Sequence, residues 1–257
     1  MKNTILFFIF FFPVVVWGQG NGHIEKKGSL GVHMGTDIGG AIPFPFKNIP
    51  EKINAYPQIT LALGGRFAYT VSDKWGGGME VTYKTVKTNS DARLTNQKFQ
   101  DENAISFFTG TAESHLSFTM VEIPIYVKYN FRNKRDRILA GPYFSSMIKT
   151  KFVNKPRKGF NGPRENTVET IISDDPKSPN YMSDMDFTDS MDSWDIGIMG
   201  GYERRITNQV DLGLRVSWGF KDIFKRNNKY FDYSMRHIRG SLVISYKLID
   251  FKTPKLL

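Results

Sequence analysis

The sequence predicts an all-β chain, an eight-stranded antiparallel up-and-down transmembrane β-barrel with a polar, side-chain-filled interior. Three observations predict it. Apolar and polar residues alternate strictly in eight runs, and period two is the geometry of a strand with one apolar face. The runs are 10 to 17 residues long, where a soluble strand is usually about 5 or 6 and a tilted membrane strand needs about 9 to 11. The connections alternate short and long, as turns on one side of a membrane alternate with loops on the other.

Composition narrows the field. The chain has 257 residues, 35 basic and 25 acidic, for a formal charge of +10. It has no cysteine, which excludes a disulfide framework, a thiolate metal site and a thiol nucleophile. Mean hydropathy is −0.35, and beyond residue 18 no run approaches the roughly 18 apolar residues of a spanning helix. Despite the basic charge there is no phosphate loop, dinucleotide fingerprint or nucleic-acid module.

Met1 to Gly18 reads as a signal peptide: Lys2, then an apolar stretch from Ile5 to Val16, then small residues before Gln19. Residues 19–28 are expected to be a periplasmic lead-in, 29–251 the barrel and 252–257 a short tail. The eight runs are Ser29–Ile38, Gln58–Ser72, Trp75–Thr88, Leu116–Phe131, Arg137–Phe152, Ser193–Arg205, Val210–Phe220 and Met235–Phe251. The fifth is the least regular. Ser72–Lys74, Arg132–Asp136 and Ile206–Gln209 are tight turns. Gly39–Pro57, Asn89–His115, Val153–Asp192 and Lys221–Ser234 are long loops of 19, 27, 40 and 14 residues. An even strand number puts both termini in the periplasm.

The second face of the runs carries charge, including His33, Asp37, Lys84, Asp211, Arg239 and Lys247. An eight-stranded barrel has room inside only for side chains. Arg66, Glu80, Glu122, Lys128, Glu203 and Arg215 are therefore expected to form an internal ion-pair network, with Tyr126 and Tyr143 as hydroxyl partners. A narrow ion path is the alternative. Aromatic residues sort into two belts, as ring side chains at membrane interfaces do. Tyr69, Trp75, Tyr129, Phe131, Tyr202 and Tyr246 fall at the periplasmic ends. Phe118, Phe152, Trp194, Trp218 and Phe220 fall at the outer ends.

Several segments are distinctive. Glu122-Ile-Pro-Ile-Tyr-Val-Lys-Tyr-Asn-Phe131 resembles the Glu-Ile-Pro-Leu-Leu-Leu-Lys-Tyr core of the Bacteroidetes outer-membrane beta-barrel family, the porin-like group that includes PorT-type proteins. Ala140-Gly-Pro-Tyr-Phe144 is similar to its next strand. Trp194 to Glu203 and Leu212 to Ile223 resemble its later hairpin, and Ser241 to Leu248 its last strand. The tail after Phe251 departs from the pattern. The resemblance implies an outer-membrane location and no single activity; PorT-type members imply assembly of the type IX secretion and gliding apparatus.

Other candidate sites are weaker. His33 and His237 both point inward, at different heights. Ser114, His115 and Ser117 lie at the outer end of the fourth run, the height a lipid A-modifying enzyme would need. Asp174, Asp175, Asp184, Asp186, Asp189 and Asp192 have calcium-like oxygens without the ordered pattern of a calcium loop. Lys149, Lys151, Lys155, Arg157 and Lys158 suit lipid phosphates, and Arg132, Lys134, Arg135 and Arg137 form a basic turn. The leading expectation is a non-enzymatic assembly or surface-interaction component, with a small passive pore and a lipid A enzyme as alternatives. Its expected partners are outer-membrane lipid, lipopolysaccharide and another envelope or secretion-system protein. No cofactor, metal or nucleic acid is expected.

Overall fold

The computed structural model of the protein describes residues 27–49, 52–100, 105–226 and 233–252. The expected leader, the lead-in up to residue 26 and the tail from residue 253 lie outside them. The strands are β1 (Lys27–Phe44), β2 (Lys52–Gln58), β3 (Leu61–Thr70), β4 (Trp75–Gln100), β5 (Ile105–Asn130), β6 (Asp136–Gly162), β7 (Thr170–Ile172), β8 (Met185–Asp186), β9 (Trp194–Arg205), β10 (Val210–Gly219) and β11 (Ser234–Lys252). Eight of them close into a ring in the order β1, β3, β4, β5, β6, β9, β10, β11, with β11 back on β1. Every pair in the ring is antiparallel. Closure satisfies the backbone groups that lipid cannot.

The outer surface is apolar all round. Leu30, Val32 and Met34 of β1, Leu61 and Leu63 of β3, Ile125 and Val127 of β5, Leu214 and Val216 of β10, and Leu242 and Ile244 of β11 are exposed. The opposite face of the strands buries many charged residues, among them Arg66, Glu80, Glu122, Glu203 and Arg239. A contiguous greasy exterior around an ionic centre inverts the soluble pattern and requires lipid outside. Among the described residues no helix is long and apolar enough to cross a membrane; the crossing is made by strands.

Tight turns join the strands at one end. In the 132–136 turn, Asn133 Oδ1 accepts the N–H groups of Arg135 and Asp136, both at 3.0 Å, and Lys134 takes a left-handed φ of 55°. This is a side chain mimicking a backbone turn.

Three expected loops are corrected. Asn89–His115 is mostly strand, because β4 continues to Gln100 and β5 begins at Ile105. Val153–Asp192 likewise begins as strand, with β6 running to Gly162. β2, inside the expected Gly39–Pro57 loop, pairs with the far half of β4. These extensions project beyond the apolar band. Their outward residues (Lys87, Asn89, Asp91 and Arg93 on β4) are polar, so the apolar face that marks a membrane strand stops although pairing continues. The irregular fifth run has a local cause: the β5–β6 register shifts between Thr119 and Met120, leaving Ile148 unpaired on β6.

Candidate functional site

Four layers stack inside the cylinder. At the tight-turn end lies a cavity of about 260 Å³. Above it comes a first ionic cluster, which cross-strand register assembles: Arg66 sits opposite Glu80, and Arg137 opposite Glu203. Arg66 grips Glu203 with both guanidinium nitrogens, each at 2.8 Å. Arg215 grips Glu80 at 2.6 and 2.9 Å. Tyr126 donates to Glu80 at 2.9 Å. Arg137 reaches Glu203 at 3.0 Å and Asp211 at 3.0 and 2.9 Å. Such forked pairs combine charge with fixed geometry.

A second cluster lies further up. Lys84 Nζ bridges Asp37 and Glu122, 2.7 Å from each. Ser145 donates to Glu122 at 3.0 Å, and Arg239 pairs with the same carboxylate. Tyr143 donates to Asp195 at 2.7 Å. The cavity beside this cluster is about 20 Å³, room for little more than one water.

Of the six residues expected as one network, Arg66, Glu80, Glu203 and Arg215 come together. Glu122 belongs to the separate upper cluster. Lys128 is buried, with no carboxylate within 4 Å among the described residues. Arg137, expected on a basic surface turn, is 2 % exposed and points into the lumen. It is the first inward residue after the turn, and parity counted from Ile138 finds it. Arg239 and Asp37 had the right parity and were missing only from the network.

The fourth layer is apolar. Val86, Leu116, Phe118, Met120 and Phe152 line the wall, and Phe187, Met191, Ile223 and Phe224 come from loops folded across the opening. Phe152 stacks near Phe187 at 5.7 Å and Phe224 at 5.8 Å. Backbone bonds tie the loops down, Phe187 N–H to Phe152 O at 2.9 Å and Asp192 N–H to Ile223 O at 2.7 Å. Phe118 and Phe152 are therefore corrected from the outer belt to this plug. They occupy inward positions, at 1 % and 4 % exposure. Trp75, Phe131, Tyr202 and Tyr246 are exposed toward the tight-turn end, Trp194, Trp218 and Phe220 toward the other. Trp75 and Tyr129 meet edge to face at 4.9 Å, and Tyr69, opposite Gly77, lies near the same end of β3. Lys221 caps the Trp194 ring at 3.6 Å and pairs with Asp192 at 2.6 Å. Burial pushes the Asp222 carboxyl up, against the N–H groups of Met235 and Phe224 that it accepts.

The histidines stay apart. His33 bonds Thr82 at 2.8 Å, while His237 packs on Phe118 at 4.5 Å. His115 meets the Asn89 amide oxygen at 3.0 Å. Glu113, two residues along on the same face, is held by Arg157 at 2.8 Å, which keeps its carboxyl below the usual value. That carboxylate is therefore engaged by Arg157, and the His115 ring is oriented by Asn89 instead. The loop acids are dispersed: Asp174 pairs with Lys158, Asp184 with Lys155 and Asp186 accepts from Thr188 N–H. Among the described residues no three His, Asp or Glu converge on a metal position.

No curated protein matches the chain. Among solved structures it is similar to the attachment invasion locus protein Ail of Yersinia pestis, at 7 % identity over 89 % of this chain and 100 % of that one, with a TM-score of 0.37. It is also similar to the outer membrane protein OprG from Pseudomonas aeruginosa, at 10 % identity over 89 % and 96 %, with a TM-score of 0.31. The family described as "Outer membrane protein beta-barrel domain" matches residues 19–225. That span takes in the first seven ring strands and both ionic clusters up to Arg215, so the ring described above is the ring of an outer-membrane protein, and the chain belongs to this family.

Proposed function

We propose that the protein is a non-enzymatic, non-conducting envelope component of the PorT type, working through the sheet that projects from its barrel. The plug carries this reading. A water-filled pore needs a continuous polar path, and here an apolar layer lies across an interior already filled by forked ion pairs. The elaborated part of the molecule is instead the projecting β2–β4–β5–β6 sheet. In this reading residues 1–18 direct export, the tight turns and both termini face the periplasm, and the sheet stands outside the cell. Its outward Lys87, Lys149 and Lys151, just beyond the apolar band, suit lipopolysaccharide phosphates, while its upper part is free for another envelope or secretion-system protein.

Purified protein in a planar bilayer is expected to show no steady openings; regular single-channel steps would overturn the non-conducting reading in favour of a passive pore. Crosslinked envelopes are expected to yield one stoichiometric partner with the intact chain, and to lose it when the β4–β5 hairpin beyond Thr88 and Leu116 is shortened. Retention of the partner would remove the projecting sheet as the working surface. A lipid A mass spectrum altered by His115→Ala would restore the enzyme.

A further inference from the structure

The cavity at the tight-turn end is about 260 Å³, against about 20 Å³ for the space beside the upper ionic cluster. Five cations line it, Arg66, Lys128, Arg137, Arg205 and Lys247, with two carboxylates, Asp211 and Asp250. Most of these charges are already committed. Arg66 is held by Glu203, and Arg137 grips Asp211 with two nitrogens. Lys247 bonds Asp250 at 2.7 Å.

Two cations remain. Lys128 is 6 % exposed, yet no carboxylate lies within 4 Å of it among the described residues. Among the described residues Arg205 meets only Asp211, at 3.8 Å, already taken by Arg137. Everywhere else in this lumen a buried lysine or arginine meets an acid directly, whereas Lys128 lines the cavity. Here a ligand-sized space replaces the acid.

We propose that this cavity is an anion-binding vestibule in which Lys128, aided by Arg205 at the rim, holds a small oxyanion of the phosphate class. The Lys128 ammonium, with three N–H donors, lines the cavity from β5 and the Arg205 guanidinium from β9, which suits an anion with several oxygens. Entry is from the tight-turn side. That this side is periplasmic rests on the orientation proposed above; the binding itself does not.

The test is calorimetric titration of the folded full-length chain, in non-ionic detergent at constant ionic strength, with inorganic phosphate and with chloride as control. Saturable one-to-one phosphate binding is expected. Lys128→Met is expected to weaken it by about tenfold or more, the loss of one charge-assisted bond, and Lys128→Arg to preserve it within about threefold. Absence of saturation, or Lys128→Met binding as tightly as the parent, overturns the proposal. Heat-modifiable migration on gels reports folding. If Lys128→Met does not fold, Arg205→Gln decides, because that side chain is 43 % exposed and its ion pair with Asp211 is long, at 3.8 Å. Weakened binding then supports the vestibule, and unchanged binding overturns it. A periplasmic origin is read separately, by whether phosphate protects Lys128 from a membrane-impermeant amine reagent in spheroplasts but not in intact cells.

Discussion

The barrel interior has two halves of opposite chemistry. Toward the tight turns, Arg66, Arg137 and Arg215 interlock with Glu80, Glu203 and Asp211. Toward the projecting sheet, Phe152, Phe187, Phe224 and Met191 close the same cylinder with an apolar cluster. The difference follows from what each half has outside it. At membrane level lipid claims the apolar face of every strand, so polar residues must turn inward and satisfy one another. Beyond the lipid the outer face returns to water, and the inner face returns to the ordinary protein solution of an apolar core. Buried ion pairs lose in desolvation much of what they gain in attraction, so the ionic half sets register and the plug supplies cohesion.

The sharpest break comes from removing one acid from the centre. Glu80 receives two bonds from Arg215 and one from Tyr126, with Arg66 at 3.6 Å. Glu80→Leu would strand Arg215, and a loss of about 3–5 kcal/mol is expected, read as a lowered urea midpoint for the folded barrel. Glu80→Gln, which keeps an acceptor for Tyr126, is expected to cost less. A neutral Glu80→Leu would mean that the arginines find water instead, and the distinction between the halves would fail.

The plug should respond differently. Phe152→Ala removes the ring that joins Phe187 to Phe224, and about 3 kcal/mol is expected. The loss should be local. Hydrogen exchange is expected to rise in residues 187–192 and 221–224 while the amides opposite Arg66 and Glu203 stay protected. Equal loosening at both ends would show the halves to be one cooperative unit.

A smaller effect tests the packing inside the ionic half. A Cβ built on Gly78 would lie 2.7 Å from the Tyr126 ring, so glycine is what lets this tyrosine lie flat against the wall and reach Glu80. Gly78→Ala is expected to cost about 1–3 kcal/mol, as overpacking does, with a shift of the Tyr126 ring resonances in NMR spectra.

Much of this was legible because lipid enforces a period-two code. Each of the eight runs falls on a ring strand, and Trp75 and Val210 begin theirs at the expected residue. The same code hid the rest. Once β4 passes Tyr83 its outer face becomes Lys87, Asn89 and Asp91, and contrast between faces, the signal for a strand, disappears while the strand goes on to Gln100. Phe118 and Phe152 looked like belt residues because they are aromatic and near strand ends; only parity, blurred at the Thr119 and Ile148 bulge, places them inside. Network membership was the least legible. Parity names Lys84, Arg137 and Arg239 as inward, but which acid each meets depends on the stagger between strands far apart in sequence.

The finest difference lies across the projecting sheet, whose inward face buries Phe108, Ala112 and Ile172 while its outward face carries exposed ion pairs. There Glu113 on β5 accepts from Arg157 on β6 at 2.8 Å, both partly exposed. The Arg157 hydrogen bond lowers the Glu113 pKa below its ordinary 4.5. A carboxyl whose folded pKa is depressed stabilises above the unfolded value and loses that contribution as pH falls through the folded value. Protection of amides 105–113, corrected for intrinsic exchange rates, is therefore expected to decline below about pH 4.5, with no change between pH 6 and 8. The pair is worth well under about 1 kcal/mol at such exposure, so only this hairpin should respond while the barrel stays closed. Glu113→Gln should abolish the pH response and reproduce the acid-state protection at neutral pH. If acid instead releases the plug or the ring first, buried carboxylates such as Glu122 govern the acid limit, and the outward face of the sheet is not the first to yield.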